Sequence, residues 1–190
     1  MKKIVLVNAS PRGGGNSDLV TEHLEDALEA ADVTVFMLRD KAVDYCRACG
    51  WCQGKDEPAG CMIHDDFTDL IPELDECDAL VLVAPIYNGQ LSARARTFLE
   101  RTYPFYRSKA PGKSNTHKHG KRGALICCYW NSPREVTERY ADWTVQTLSQ
   151  IGCDENRALA FGGLHGKGAI LSHPDDFDAL DELADWLLGD

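Results

Sequence analysis

Long hydrophobic runs are missing from this sequence. No apolar stretch approaches the roughly 20 residues that carry a helix across a bilayer, so no membrane partner is expected. Lys2 and Lys3 precede Ile4-Val5-Leu6-Val7 as in a signal peptide, but the run stops at Asn8, short of the roughly 7 to 15 residues of an h-region. Positive charge is scarce too: 20 Lys and Arg face 30 Asp and Glu, a formal net charge of −10. Nucleic-acid binding draws on cations that neutralise phosphates, so that class of partner is not expected and a small-molecule ligand fits better. Internal repeats and low-complexity tracts are absent. Cysteine is the exception to this scarcity. Eight are present, four of them within sixteen residues, and without an export signal they read as reduced thiols or metal ligands of a cytoplasmic protein rather than as a disulfide scaffold.

The 190 residues fit a single α/β domain, 1–190, large enough to bury about 70% of its unfolded surface. Strand and helix patterns alternate. Ile4–Val7 reads as a first strand, followed by a helix from about Ser17 to Ala31 with Val20, Leu24, Ala27, Leu28 and Ala31 on one face. Val33–Leu38 is the second strand. A cysteine-rich insertion at about 39–65 exceeds the roughly 2 to 6 residues of an ordinary βα loop, and Asp65 and Asp66 then cap a short helix through Leu74. Ala79–Ala84 is apolar throughout, as a central parallel strand covered on both faces must be. The next helix places Leu91, Ala95, Phe98, Leu99 and Thr102 on one face. Gly123–Tyr129 is a fourth strand, and Pro133 opens a helix whose stripe of Val136, Tyr140, Trp143, Thr147 and Ile151 is read as core. Arg157–Phe161 is a fifth strand, 162–168 a loop, and Asp175–Leu188 the closing helix. Such alternation implies right-handed crossovers and a doubly wound parallel sheet with helices on both faces. Ligands of these sheets bind beyond the carboxyl ends of the strands, so the loops after strands one, three, four and five should converge.

The first of those loops is Asn8-Ala9-Ser10-Pro11-Arg12-Gly13-Gly14-Gly15-Asn16-Ser17. Glycines let backbone N–H groups close around an anion at the positive end of the next helix, and Ser10, Arg12, Asn16 and Ser17 add polar contacts. The loop is neither a Walker motif, whose lysine it lacks, nor a dinucleotide fingerprint, since Asp18 stands where the third glycine belongs. After the third strand, Pro85-Ile86-Tyr87-Asn88-Gly89 offers backbone donors and a flat aromatic that would flank a planar ring. It also reads as an ordinary turn. Tyr129 and Trp130 end the fourth strand on the same side, where they would either wall a ligand or join the core. In the insertion, Cys46-X2-Cys49-X2-Cys52 is followed eight residues later by Cys61, a spacing that lets three thiolates converge while a fourth closes the cage. A [4Fe-4S] cluster, metal-free thiols and zinc all stay open.

These three motifs together resemble the flavodoxin-like NAD(P)H-dependent FMN reductases, and among them the iron-sulfur flavoproteins. The resemblance covers residues 1 to about 105 by motif and the rest by the order of elements. It implies a five-stranded sheet of order 2-1-3-4-5, with FMN phosphate held by Ser10, Arg12, Asn16 and Ser17, and the flavin ring held by Pro85, Ile86, Tyr87, Asn88 and Gly89 with Trp130 beside it. Cys46, Cys49, Cys52 and Cys61 would be the cluster ligands, although the last gap is long and no proline follows Cys61. Asn8 stands where the family commonly has glycine. The implied activity is an FMN-dependent oxidoreductase passing electrons from NAD(P)H, or from a reduced carrier such as ferredoxin, to a small acceptor such as a quinone or flavin. The flavin carries the redox chemistry, so no protein nucleophile or base is expected. A homodimer or homotetramer is implied, with the flavin face completed by a neighbour. A flavodoxin-like electron carrier or redox-sensing binding protein is the alternative.

Other candidates are assigned no chemistry. Cys77, Cys127, Cys128 and Cys153 sit in or beside apolar elements and read as buried small hydrophobes. Arg107 to Arg122 holds six Lys or Arg and no acid, either a solvated loop or a docking site for an acidic redox partner or a nicotinamide phosphate. His117-Lys118-His119 lacks the further ligands of a metal site. His64, His165 and His173 show no partner in the sequence.

Overall fold

The computed structural model describes residues 1–54, 60–106 and 118–189. Among them, five strands run parallel in the order β2-β1-β3-β5-β6. These are β1 (Lys3–Asn8), β2 (Asp32–Met37), β3 (Ala79–Tyr87), β5 (Lys121–Cys128) and β6 (Cys153–Phe161); a two-residue β4 (Gln90–Leu91) pairs antiparallel with the end of β3. The expected order is therefore observed, with β4 as an addition. β1 and β3 hold the centre in a register of Ile4 with Ala79 through Asn8 with Val83. Both are buried along nearly their whole length, which is why their sequences show no polar alternation.

Alternate residues of β1 feed two cores. Val5 and Val7 face one layer with Phe67, Leu74, Phe98 and Leu148, from the side of α2 (Asp66–Glu76), α3 (Ala93–Arg101) and α4 (Arg134–Val145). Ile4 and Leu6 face the other, with Leu24 and Leu180, from the side of α1 (Asn16–Ala27) and α5 (Pro174–Leu188). Asp65 caps α2 by accepting from the Thr68 N–H, as its position suggested. All four remote cysteines, Cys77, Cys127, Cys128 and Cys153, are buried in these cores. No described helix is long and apolar enough to cross a membrane.

Several sequence expectations need correction. Helix α1 ends at Ala27, short of Ala31, and Leu91 belongs to β4, so α3 starts only after Ser92 caps it through the Ala95 N–H. The core stripe of α4 holds only in part: Ile151 is buried in the core, but Val136 is 56% and Trp143 70% exposed, while Thr137, Ala141, Thr144 and Val145 are buried. Small residues face the sheet here because they let helix and strand approach closely. Tyr140 stays half-buried with its hydroxyl accepting from the Leu91 N–H at 3.1 Å. Strand β6 begins at Cys153 rather than Arg157; it is the edge strand, and its exposed Asp154 and Glu155 hide the pattern. Most of the basic segment, with His117, lies outside the described residues. Its described cations are engaged within the fold: Lys118 with Asp78 at 2.5 Å, Lys121 buried on the Leu74 and Ile151 carbonyls, and Arg122 on the Trp186 carbonyl.

Candidate functional site

The β1–α1 loop is shaped from beneath by two residues that carry no phosphate signature. Asn8, fully buried at the end of β1, accepts the Ser10 N–H at 2.9 Å and directs its amide at the Ser17 carbonyl, Asp18 and Thr21. Asp18 accepts the Gly14 N–H at 2.6 Å and the Arg39 guanidinium at 2.8 Å, which neutralises it. Glycine at position 8 would remove all four of these bonds and leave the Ser10 N–H without its acceptor, so the departure from the family's habit has a structural consequence. The N-cap of α1 is Gly15, and no side chain caps it. The first N–H groups of a helix lack intrahelical partners, and the residues that carry them here, Asn16 and Ser17, line the cleft described below, as an anion site would require.

The expected phosphate residues divide into two kinds. Ser10 braces the loop, its hydroxyl bonded to the backbone of Arg12, and Arg12 is exposed at the rim. Asn16 is otherwise engaged: its amide donates to the Gly166 carbonyl at 2.9 Å and its oxygen accepts the Ile170 N–H at 3.3 Å. It clamps the loop after β6. From that loop Lys167 reaches the Gly13 carbonyl at 2.6 Å, placing at the β1–α1 loop a cation that no motif in the sequence singles out.

At the other end of the site, β3 and β4 form a hairpin joined by Asn88 and Gly89. Both have positive φ, 50° and 75°, and Asn-Gly is the pair favoured in tight hairpins of this kind. The segment is thus both a turn and a wall. Ser10, Arg12, Asn16, Ser17, Pro85, Ile86, Tyr87, Asn88, Gly89 and Trp130 all line one cleft of about 600 Å³. Tyr129, Asn131, Ser132, Leu164, His165 and Gly166 complete it, so the loops after β1, β3, β5 and β6 do converge. His165 lies against the exposed Trp130, ring centroids 4.5 Å apart, and His173 meets Asp176 at 3.4 Å, so both histidines have partners that the sequence did not reveal. The sequence signalled the last wall by its place after the final strand and by four glycines, at 162, 163, 166 and 168. Beneath the cleft, burial pushes the Cys128 thiol up to about 12, against a smaller opposing hydrogen bond from Ser17.

The four insertion cysteines line a second, narrow pocket with Ile63, Arg101 and Tyr103. All are free thiols. Among the described residues no three His, Cys, Asp or Glu side chains stand close enough to hold a single metal ion. The donor set nonetheless fits a cluster in its chemistry. Four thiols share one wall, Ala48 and Gly50 take positive φ between the cysteines, and the Ile63 N–H and Gln53 amide donate to Cys61 at 3.5 Å and Cys52 at 3.7 Å. Burial, reinforced by the neighbouring Cys61 and Cys46 and only partly opposed by the Gln53 bond, raises the Cys52 thiol above its ordinary range.

A family model described as NADPH-dependent FMN reductase matches residues 2–154. An iron-sulfur flavoprotein of Archaeoglobus fulgidus is 32% identical over 138 residues, covering 70% of this chain and 58% of that protein. Another, from Methanocaldococcus jannaschii, is 29% identical over 104 residues, 54% of this chain and 52% of its own length. The chain therefore spans little more than half of these relatives. An NAD(P)H:quinone oxidoreductase from Methanothermobacter marburgensis matches 100% of this chain and 98% of its own, with a TM-score of 0.77 at 13% identity. Flavodoxin 1 of Bacillus cereus covers 98% and 97%, with a TM-score of 0.59 at 13% identity. At such identities the likeness bears on the fold alone.

Proposed function

Because the chain belongs to the NADPH-dependent FMN reductase family, we propose that it is an FMN-dependent oxidoreductase, taking electrons from NAD(P)H or a reduced carrier and delivering them to a small acceptor such as a quinone or flavin. The observation that carries this reading is the single cleft uniting an uncapped helix N-terminus with the β3–β4 hairpin and Trp130. Bound FMN supplies hydride acceptance and onward transfer of one or two electrons. The chain's own part is to hold and orient. The first-turn N–H groups of α1, Arg12 and Lys167 would take the phosphate, with Ser10, Asn16 and Ser17 fixing the loop around it. Pro85 to Gly89 would present backbone groups to the ring edge, and Tyr87 and Trp130 an aromatic surface that excludes water.

Cys46, Cys49, Cys52 and Cys61 are the proposed ligands of a [4Fe-4S] cluster, which supplies one-electron transfer and makes ferredoxin a suitable donor. The likeness to iron-sulfur flavoproteins and the shared pocket of the four thiols support this assignment. We further read the protein as a cytoplasmic homodimer or homotetramer.

Titration of purified protein with FMN, followed by quenching of flavin fluorescence, tests the assignment. Arg12→Ala should weaken binding by about 1.5 to 3 kcal/mol, tenfold or more in Kd, as for loss of a charge-assisted hydrogen bond. Unchanged affinity in Arg12→Ala and Lys167→Ala together would remove the phosphate assignment. FMN binding without NAD(P)H oxidation in the presence of quinone or ferricyanide would leave the electron-carrier reading instead.

A further inference from the structure

Arg101 is among the largest fully buried side chains of the molecule, 1% exposed. Its guanidinium is nearly but not wholly satisfied. One terminal nitrogen donates to the Asp44 carbonyl at 2.8 Å and to Asp65 at 2.5 Å, and the other donates to Asp65 at 2.9 Å and Thr68 at 3.5 Å. The plane packs over the Phe67 ring, 4.8 Å from its centroid. Of the five N–H donors of an arginine, only the one on Nε is left. That atom is buried and meets no acceptor in hydrogen-bonding geometry, with the Cys61 sulfur its neighbour.

An orphaned buried donor is rare enough to call for a cause. Arg101 lines the same pocket as the four cysteines, and Cys61 is the one of them near enough to act on its guanidinium. Cys61 also receives the Ile63 N–H at 3.5 Å, so donors gather around this sulfur. A neutral thiol is a weak acceptor. A thiolate bound to iron is a strong one, and it brings negative charge into a pocket whose only buried cation is this guanidinium among the residues lining it.

We infer that Arg101 is a positioning residue for the cysteine pocket: its Nε–H donates to the Cys61 thiolate when an iron-sulfur cluster is held there. The inference rests on reading the four cysteines as cluster ligands. Hydrogen bonds to the sulfurs favour the more negative, reduced cluster and so raise its reduction potential. Arg101 also anchors the insertion to α3 through Asp65, and that structural role alone would move stability without moving a potential.

The experiment compares wild type, Arg101→Lys and the double variant Arg101→Gln/Asp65→Asn, each reconstituted with iron and sulfide without oxygen. Asn is as good a helix N-cap as Asp, and the double variant removes both buried charges together, which avoids a lone buried carboxylate. Iron per chain, FMN affinity, thermal unfolding and the cluster potential by dye-mediated titration are measured on each. Wild type should hold about four irons, since four thiolates ligate that cluster. The double variant should keep FMN and iron but shift the ratio of reduced to oxidised cluster by tenfold or more toward oxidised, about 59 mV for one electron. Arg101→Lys, which keeps a charge but has no Nε–H, should shift the same way by less. It also decides the matter if the double variant does not fold. Iron retained in the variants at the wild-type potential would overturn the role of Arg101 and leave the cluster reading standing. Wild type that takes up no iron would overturn both.

Discussion

A methyl group added at residue 162 should disturb the fold and the cleft together. Gly162 follows β6, and the Tyr129 ring lies directly on it while Tyr129 also lines the cleft. A Cβ at 162 would fall 2.6 Å from Cζ, 2.7 Å from Oη and 2.8 Å from Cε2 of that ring. Carbon atoms sit comfortably at about 3.5 to 4.0 Å, so the ring must shift by roughly 1 Å in Gly162→Ala. The backbone at 129–130 cannot follow freely: the Tyr129 N–H donates to the Phe161 carbonyl and the Leu164 N–H to that of Tyr129, at 2.9 and 3.0 Å. Overpacking of this kind costs about 1 to 3 kcal/mol. Gly162 does not need positive φ, so an alanine without the clash would instead stabilise by about 0.4 to 1 kcal/mol through the unfolded chain. The sign should therefore reverse with the ring removed. Gly162→Ala is destabilising in the wild type and neutral or stabilising in a Tyr129→Ala background, even though Tyr129→Ala itself costs several kcal/mol. Urea unfolding of the four proteins closes the cycle, and FMN titration should show weakened binding in Gly162→Ala. Equal destabilisation in both backgrounds would refute the steric account.

Two further perturbations probe the thiols and the insertion. In metal-free reduced protein the partly exposed Cys46, Cys49, Cys52 and Cys61 should react with a thiol reagent first; Cys77, held up to about 11, and Cys127, Cys128 and Cys153, held up to about 12, all by burial, should react only on unfolding. Fast labelling of Cys127 or Cys153 in the folded protein, seen by mass spectrometry, would contradict the packing. Burial pushes Asp65 upward, but bonds from Arg101, the Asp44 N–H and Thr68 outweigh it and hold the carboxyl below its usual range. Its contribution to stability is present above the unfolded value of about 3.9 and is lost as pH falls through the lower folded value. Asp65→Asn should therefore cost stability at pH 7 and converge on wild type only below about pH 4; a gap that persists at pH 2 would place the effect elsewhere.

What the sequence made legible, and what it did not, follows from how far each signal reaches along the chain. The central strands declare themselves because Ile4–Val7 and Ala79–Ala84 are apolar on both faces, and a parallel sheet then sends its loops to one edge. Strand β6 hides its start because an edge strand tolerates Asp154 and Glu155 in the open. Periodicity found helix α4 but chose the wrong face, since Val136 and Trp143 are larger than the Thr137 and Ala141 that the sheet accepts. Asn88-Gly89 carries both meanings that the sequence offers, ligand wall and turn, and the turn, a tight hairpin, is what extends β3 beyond Ala84.

Asn16 shows the limit most clearly. Its residue type and place in the loop point to phosphate, yet both of its side-chain groups bond to backbone at Gly166 and Ile170, some 150 positions away. No spacing rule connects those residues. The bonds tie the β1–α1 loop to the loop that carries His165 against Trp130 and sends Lys167 to the Gly13 carbonyl. The two ends of the cleft thus share one tether. Loss of the Asn16 clamp would free Gly166 and Lys167 together, so the β1–α1 end and the aromatic end of the cleft act as one structural unit, tied by the Asn16 side chain.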